Sequence, residues 1–388
     1  MASRFFVSCQ PHLEKDLLNE LESFWHQIID LDGLPTRSRP EVVYEDIGGI
    51  EIECETHLGF QINLFSKLAN RVLWRIHHFE ARYFDQFEKE LKKLDLKKYL
   101  GEQKFNLNIE SGKSRLFHES NLEESAHKIL KNAVKKQDET LLSLYIRIFK
   151  DHVTLSLDTS GKHLHKRGYR QAQGEAPMRE TLAAKMYNFL LKNALEGEVQ
   201  YSPQNANTTI LDPFCGAGTL LFEAASFFQP NLVSKFDFER FNNLPGLLKS
   251  ETWKKNFKIA NPSKTQFMGV ELDPKTFAKL EGNYEAFKTH FPAVENSFKF
   301  IQGNSKTADF SALKDQSVIV IANPPYGERL KNTDAEDVLM SLERVPNLKG
   351  LVVVHPPQWK LKFSQLKIKQ SEAFNNQGLD LKLTLFAL

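Results

Sequence analysis

Two patterns of apolar and polar positions divide the chain. Up to about residue 160 the apolar residues come in short alternating runs and short helical stripes. Alternation in Gly49-Ile50-Glu51-Ile52-Glu53-Cys54 and in Leu141-Leu142-Ser143-Leu144-Tyr145-Ile146-Arg147-Ile148 predicts half-buried strands. The apolar spacing from Leu13 to Trp25 and from Phe84 to Leu100 predicts two helices. Strands and helices mixed in this order predict α+β modules rather than a doubly wound sheet. From about residue 165 continuous apolar runs alternate with helical stripes. Four of them, near Thr209–Leu211, Phe267–Glu271, Phe298–Ile301 and Val318–Ile321, predict buried parallel strands, and a fifth, Leu351–Val354, follows a helix. A helix is predicted over Met178–Leu195, and the polar stretch Glu196–Asn207 reads as a loop before the first of these strands.

Composition narrows this only modestly. The 388 residues suggest two or three domains, and 41% hydrophobic with 26% charged residues describes a soluble globular chain. A formal charge of +2 means that any nucleic-acid surface must be a local patch. Lys89, Lys92, Lys93, Lys97 and Lys98 form one charge-rich helix face, the usual solvated kind or a contact for phosphate. Cys9, Cys54 and Cys215 are odd in number and far apart, which fits a reducing compartment and suggests neither a disulfide framework nor a metal site. The apolar stretch near the N-terminus is too short for a signal peptide and no run approaches membrane-spanning length, so a cytoplasmic protein is expected, with no membrane partner.

The candidate chemistry lies at the ends of the predicted strands. Asn323-Pro324-Pro325-Tyr326 follows Ser317-Val318-Ile319-Val320-Ile321-Ala322. The Asn323 and Pro324 carbonyls can accept the two N–H bonds of a planar amino group, two prolines stiffen the backbone, and Tyr326 offers a ring. Taken alone, the tetrapeptide also fits a proline-stiffened turn. Thr209-Ile210-Leu211-Asp212-Pro213-Phe214-Cys215-Gly216-Ala217-Gly218-Thr219 is a strand, a two-glycine turn and a helix start, where a ligand can press on the main chain. At the next strand end Glu271 can accept both hydroxyls of a ribose, while Asp273-Pro274 reads as a helix N-cap and first turn. At a third end Asn304 can hydrogen-bond an adenine edge. With neither GxGxxG nor a Lys-Ser/Thr phosphate loop, three strand ends supply a glycine turn, an acid and an amide, and a fourth supplies the clamp.

This combination resembles the class I S-adenosylmethionine-dependent methyltransferases of the amino-methylating kind. His165-Lys166-Arg167-Gly168-Tyr169-Arg170 with Glu175-Ala176-Pro177-Met178-Arg179-Glu180-Thr181, Phe236-Asp237-Phe238-Glu239-Arg240-Phe241 before Trp253, and Asn323-Pro324-Pro325-Tyr326-Gly327-Glu328-Arg329-Leu330 are similar to the THUMP-containing RNA guanine-N2 methyltransferases. The closest likeness is to the large-subunit, 23S ribosomal RNA type. Asn63 to Leu73 resembles the start of a THUMP module. The resemblance implies an α+β ferredoxin-like segment (1–65), a THUMP RNA-binding module (66–160) and an α/β Rossmann-like methyltransferase domain with a mostly parallel sheet (161–388). It assigns the methionine end of S-adenosylmethionine to Asp212, Gly216 and Gly218, its ribose to Glu271 and its adenine to Asn304. Phe214, Thr219, Asp273, Arg179 and Thr181 are further expected cofactor residues. Asn323, Pro324, Pro325 and Tyr326 are the expected catalytic group, and Arg167, Tyr169, Arg170 and Arg329 the expected RNA contacts. The other reading of Arg167, Tyr169 and Arg170 is an interdomain salt-bridge patch. Phe374 to Leu381 resembles the family's Tyr-Asn-Gly stretch, with Gln377 interrupting Asn376 and Gly378.

The implied activity is methylation of the exocyclic N2 of guanine in RNA. Ribosomal RNA is the favoured partner and transfer RNA the alternative, ahead of DNA adenine, a protein glutamine or a non-catalytic RNA-binding role.

Overall fold

The computed structural model describes residues 2–172, 178–250, 252–257, 264–326, 335–376 and 378–388. Two compact units result: Met1–His165 with Leu232–Lys258, and Lys166–Asn231 with Ile259–Leu388.

The first unit contains β1 (Ala2–Cys9), α1 (Glu14–Trp25), β2 (Glu41–Asp46), β3 (Gly49–Glu55), α2 (Thr56–Phe65), β4 (Ala69–Glu80), α3 (Phe84–Leu91), α4 (Lys97–Leu100), β5 (Phe105–Gly112), α5 (Glu119–Ile129), β6 (Ala133–Val134), β7 (Leu142–Phe149) and β8 (His152–Asp158). Its strands form one sheet in the order β2-β3-β1-β4-β8-β7-β5-β6. Because β4 pairs with β1 on one side and β8 on the other, the expected segments 1–65 and 66–160 share a sheet. The single helix expected over Phe84–Leu100 is broken into α3 and α4. Leu91 and Leu100 are both buried. At about 100° per residue a continuous helix would put them on opposite faces, and the break turns both inward.

Residues Leu232–Lys258 follow the second unit in sequence but pack with the first. Their aromatic spacing explains why: the Phe238 ring stacks on Phe60 at 5.1 Å, Phe241 lies 6.0 Å from Trp74, and Phe257 meets Phe65 at 5.7 Å.

The second unit contains α6 (Glu180–Leu195), β9 (Thr208–Asp212), α7 (Thr219–Ala225), β10 (Gln266–Glu271), α8 (Pro274–His290), β11 (Phe298–Gln302), β12 (Ser317–Ala322), α9 (Ala335–Ser341), β13 (Leu348–His355), β14 (Lys367–Asn376) and β15 (Leu379–Ala387). The strand order is β11-β10-β9-β12-β13-β15-β14. The five strands from β11 to β13 are parallel, and β15 and β14 add an antiparallel hairpin, so the sheet is mixed. From β9 the chain proceeds outward through β10 and β11, then returns to β12 on the other side of β9. Such a reversal opens a crevice at the carboxyl ends of the adjacent strands. Asp212 ends β9, and Asn323 follows the last residue of β12.

Candidate active site

β9, all five of whose residues are buried, delivers Asp212 into the turn Pro213–Gly218. Its Oδ1 accepts the Phe214 N–H at 3.0 Å. Gly216 and Gly218 have φ of 53° and 90°, the left-handed region that favours glycine. A Cβ on Gly218 would also lie 2.5 Å from the Phe222 ring and 2.6 Å from Leu280. The turn is fixed from outside: Cys215 N–H donates to Val270 O at 3.1 Å, and Ser305 Oγ donates to Pro213 O at 2.5 Å. Cys215 is buried, and burial holds its thiol well above the ordinary value, with Asp212 and Glu271 adding to the rise. Packing explains it.

Glu271 at the end of β10 accepts the Gly216 N–H at 2.9 Å and the Asp273 N–H at 2.8 Å, one on each oxygen. Each oxygen keeps a second lone pair for a ligand hydroxyl. Burial pushes the Glu271 carboxyl above its usual range, against the pull of those two N–H groups. Asp212 is pushed further: burial takes it up to about 8, opposed by the Phe214 N–H and reinforced by Glu271. No cation forms an ion pair with either carboxylate among the described residues. Asp273 caps α8, accepting the Thr276 N–H at 2.8 Å and its hydroxyl at 2.7 Å, which holds its carboxyl below the usual range. Asn304 is exposed, and its Oδ1 accepts the Lys306 N–H at 2.9 Å, leaving its amide N–H groups toward solvent.

Next to this turn, across the β9–β12 pair, Asn323 Oδ1 is buried and has no hydrogen-bond partner among the described residues. A buried, unpaired carbonyl oxygen costs about 1 to 3 kcal/mol, a penalty that a ligand N–H removes. Pro324 is buried and Pro325 half-buried. Tyr326 is 7% exposed, so its ring is a wall of the site in this conformation rather than an open stacking platform.

Arg167 and Tyr169 are not RNA contacts in this structure. They are 3% and 1% exposed, and both reach Glu223, which is fully buried on α7: Arg167 Nε and Nη2 at 3.3 and 3.2 Å, Tyr169 Oη at 2.7 Å. The Tyr169 ring packs edge-on against Phe222 and Phe287 at 5.5 and 5.6 Å. All of these residues belong to the second unit, so this is an internal ion pair rather than an interdomain patch. Arg170 is turned inward too, donating to Met178 O at 2.5 Å and Thr219 Oγ1 at 2.8 Å, with Glu180 3.3 Å from its Nε. Thr219 is buried beside it, Thr181 is buried in the first turn of α6, and Arg179 is exposed at the start of α6. Arg329 and the segment Glu175–Pro177 lie outside the described residues.

Two supports escaped the sequence reading. Ser305 is one. Asn283 is the other: its Oδ1 accepts the N–H groups of Gln171 and Ala172 at 2.9 and 3.0 Å, and its Nδ2 donates to Ala172 O and Ala217 O, each at 3.1 Å. It thereby ties the Arg170 segment to the glycine turn. The signal was present, because Leu280, Asn283 and Phe287 form the buried stripe of α8, and an amide within such a stripe calls for polar partners.

The chain is similar in sequence and fold to known methyltransferases. Residues 167–343 match the family described as UPF0020, RMKL-like, methyltransferase domain. Over 206 residues the chain is 38% identical to "Ribosomal RNA large subunit methyltransferase K/L" of Dichelobacter nodosus (strain VCS1703A), covering 50% of this chain and 26% of that protein. Over 362 residues it is 27% identical to the protein of the same name from Cellvibrio japonicus (strain Ueda107), covering 87% of this chain and 44% of that protein. The chain thus spans less than half the length of these two relatives. Its fold is shared with the crystal structure of SMU.472 complexed with SAH, with a TM-score of 0.74 at 20% identity over 100% of this chain and 98% of that one. Residues 167–343 are thus similar to the RMKL-like methyltransferase-domain family.

Proposed function

We propose that this chain is an S-adenosylmethionine-dependent RNA methyltransferase acting on the exocyclic N2 of a guanine in 23S ribosomal RNA. The observation that carries the reading is the unpartnered Asn323 Oδ1, set one strand away from the Asp212–Gly218 turn. S-adenosylmethionine supplies an activated methyl group and carries positive charge. The buried Asp212, without a cation partner among the described residues, suits that charge, Glu271 suits the ribose hydroxyls, and Asn304 suits the adenine edge. Asn323 Oδ1 and the Pro324 carbonyl accept the two N–H bonds of the target amine. Acceptors outside the ring plane favour a pyramidal nitrogen whose lone pair can point at the methyl group. Rate enhancement then comes mainly from positioning, with no strong base needed before attack. A base entering so enclosed a site must be unpaired or flipped out.

The two K/L relatives support large-subunit ribosomal RNA over the alternatives, of which transfer RNA is the nearer. Nucleoside mass spectrometry of the ribosomal and transfer RNA pools, from cells with and without the gene, tests this. N2-methylguanosine lost from 23S RNA alone is the expected result, and loss from transfer RNA alone would move the substrate.

A further inference from the structure

Two neighbouring strands of the second unit end in the same way. β12 runs into Asn323-Pro324-Pro325, and β13, its parallel partner, ends in His355-Pro356-Pro357; Ala322 and Val353 are their last paired residues. The second exit is a closed turn. Trp359 N–H donates to Pro356 O at 3.2 Å, and His355 Nδ1 lies 2.9 Å from the same oxygen. A carbonyl can only accept, so Nδ1 carries the proton. Burial holds the His355 ring below the usual imidazole range. Its Nε2 therefore accepts the Thr384 hydroxyl at 3.0 Å, and Thr384 Oγ1 accepts the Ser371 hydroxyl at 2.9 Å. The chain beyond the turn is fastened as well: Glu336 of α9 accepts the Lys360 N–H at 3.1 Å, and Glu343 accepts the N–H groups of Ser364 and Gln365, each at 2.9 Å.

His355, Pro356 and Trp359 are buried in this turn, while Pro357 and Gln358 are exposed. The prolines and the hydrogen bonds thus hold out one polar side chain, the Gln358 amide, which has no partner among the described residues. Its place relative to Asn323 matters. The Asp212–Gly218 turn follows β9 on one side of β12, and β13 lies on the other. An amine held by Asn323 and Pro324 and turned toward the β9 side has its ring on the β13 side, where this turn stands. On guanine the group next to N2 is the N1–H donor, and beyond it is the O6 acceptor. A primary amide offers the matching pair, Oε1 to accept and Nε2 to donate. Adenine gripped by its 6-amino group presents only acceptors beside it, N1 and N7, and a protein glutamine presents no such edge.

The geometry points to Gln358 as the residue that selects guanine, its Oε1 accepting N1–H and its Nε2 donating to O6 while Asn323 and Pro324 hold N2. This rests on the reading of the chain as a guanine-N2 methyltransferase. It supplies the choice of base that Asn323-Pro324-Pro325-Tyr326 cannot make, because those four residues suit any planar amino group.

2-Aminopurine provides the test, because it keeps the 2-amino group and lacks both N1–H and O6. A fragment of 23S RNA spanning the guanine that the wild type methylates is prepared with guanine or 2-aminopurine at that position. For each, kcat/KM is measured, together with Kd in the S-adenosylhomocysteine complex, where no transfer occurs and the reactivity of the two amines plays no part. The wild type is expected to prefer guanine by at least about a hundredfold in kcat/KM. In Gln358→Leu the guanine value should fall at least about tenfold and the 2-aminopurine value should hold. The preference in Kd should shrink with it, while Tm and S-adenosylhomocysteine affinity stay unchanged. A Gln358→Leu protein that prefers guanine as strongly as the wild type, or a wild type that takes both bases equally, would overturn the assignment and leave the methyltransferase reading standing. Transfer by the wild type to anything other than a guanine N2, or to no RNA, would overturn both.

Discussion

Glu223 and Asp212 are both buried acids of the second unit, 0% and 2% exposed, yet they face opposite surroundings. Glu223 meets the Arg167 guanidinium and the Tyr169 hydroxyl, which balance its charge and use its lone pairs. Asp212 meets one backbone N–H and, nearby, a second acid. The first arrangement is complete without a ligand. The second is not: among the described residues Asp212 and Glu271 have no cation and the Asn323 carbonyl is idle, as the proposed site requires. A buried charge with its partner reports architecture; one without reports a site.

Breaking the balanced acid should have the largest effect. Glu223→Ala takes from the buried Arg167 its carboxylate partner, a loss of about 3 to 5 kcal/mol, seen as a large fall in Tm; Glu223→Ala/Arg167→Met should recover most of it. An unshifted Tm in the single variant would erase the distinction drawn here.

Asp212→Asn should do the reverse to the ligand-free protein. A carboxyl raised from about 3.9 in the unfolded chain to about 8 when folded contributes stability that is complete below pH 4 and is lost as pH rises toward 8. The amide carries no such loss. The variant should therefore gain unfolding free energy over the wild type progressively across that range, by about a few kcal/mol at its top, read as a rising difference in Tm, while losing affinity for S-adenosylhomocysteine in calorimetry. A pH-independent difference would contradict the raised carboxyl.

Gly218→Ala forces a side chain into Phe222 and Leu280 at a left-handed φ, and should cost about 1 to 3 kcal/mol together with cofactor affinity. The smallest effect is expected for Thr219→Val, which removes one of the acceptors of Arg170 at a cost of about 1 kcal/mol. Cofactor affinity should hardly change if Thr219 serves Arg170 rather than the cofactor.

Legibility in sequence follows the same division. Runs such as Ser317–Ala322 announce buried strands by composition alone, and residues that leave those runs, Asp212, Glu271 and Asn323, stand where a parallel sheet exposes its strand ends. Arg167 and Tyr169 were misjudged because charge in a loop reads as surface. The clue was their partner: Glu223 is the lone acid in Thr219–Ala225, a helix buried along its whole length. The sharing of a sheet by segments 1–65 and 66–160, and the packing of Leu232–Lys258 with the first unit, depend on contacts far apart in sequence that no local pattern encodes. One practical consequence is that removing residues 1–160 would strip Phe238, Phe241 and Phe257 of their contacts with Phe60, Trp74 and Phe65, so such a truncation tests folding as much as RNA affinity.

The most direct measurement is transfer of a labelled methyl group from S-adenosylmethionine to unmethylated 23S RNA by the purified chain and by Asn323→Ala, with S-adenosylhomocysteine affinity measured alongside. The wild type should transfer to guanine N2. The variant should bind the cofactor product equally well and transfer slower by about 10² to 10³. Undiminished transfer by Asn323→Ala would contradict the role given to that idle carbonyl.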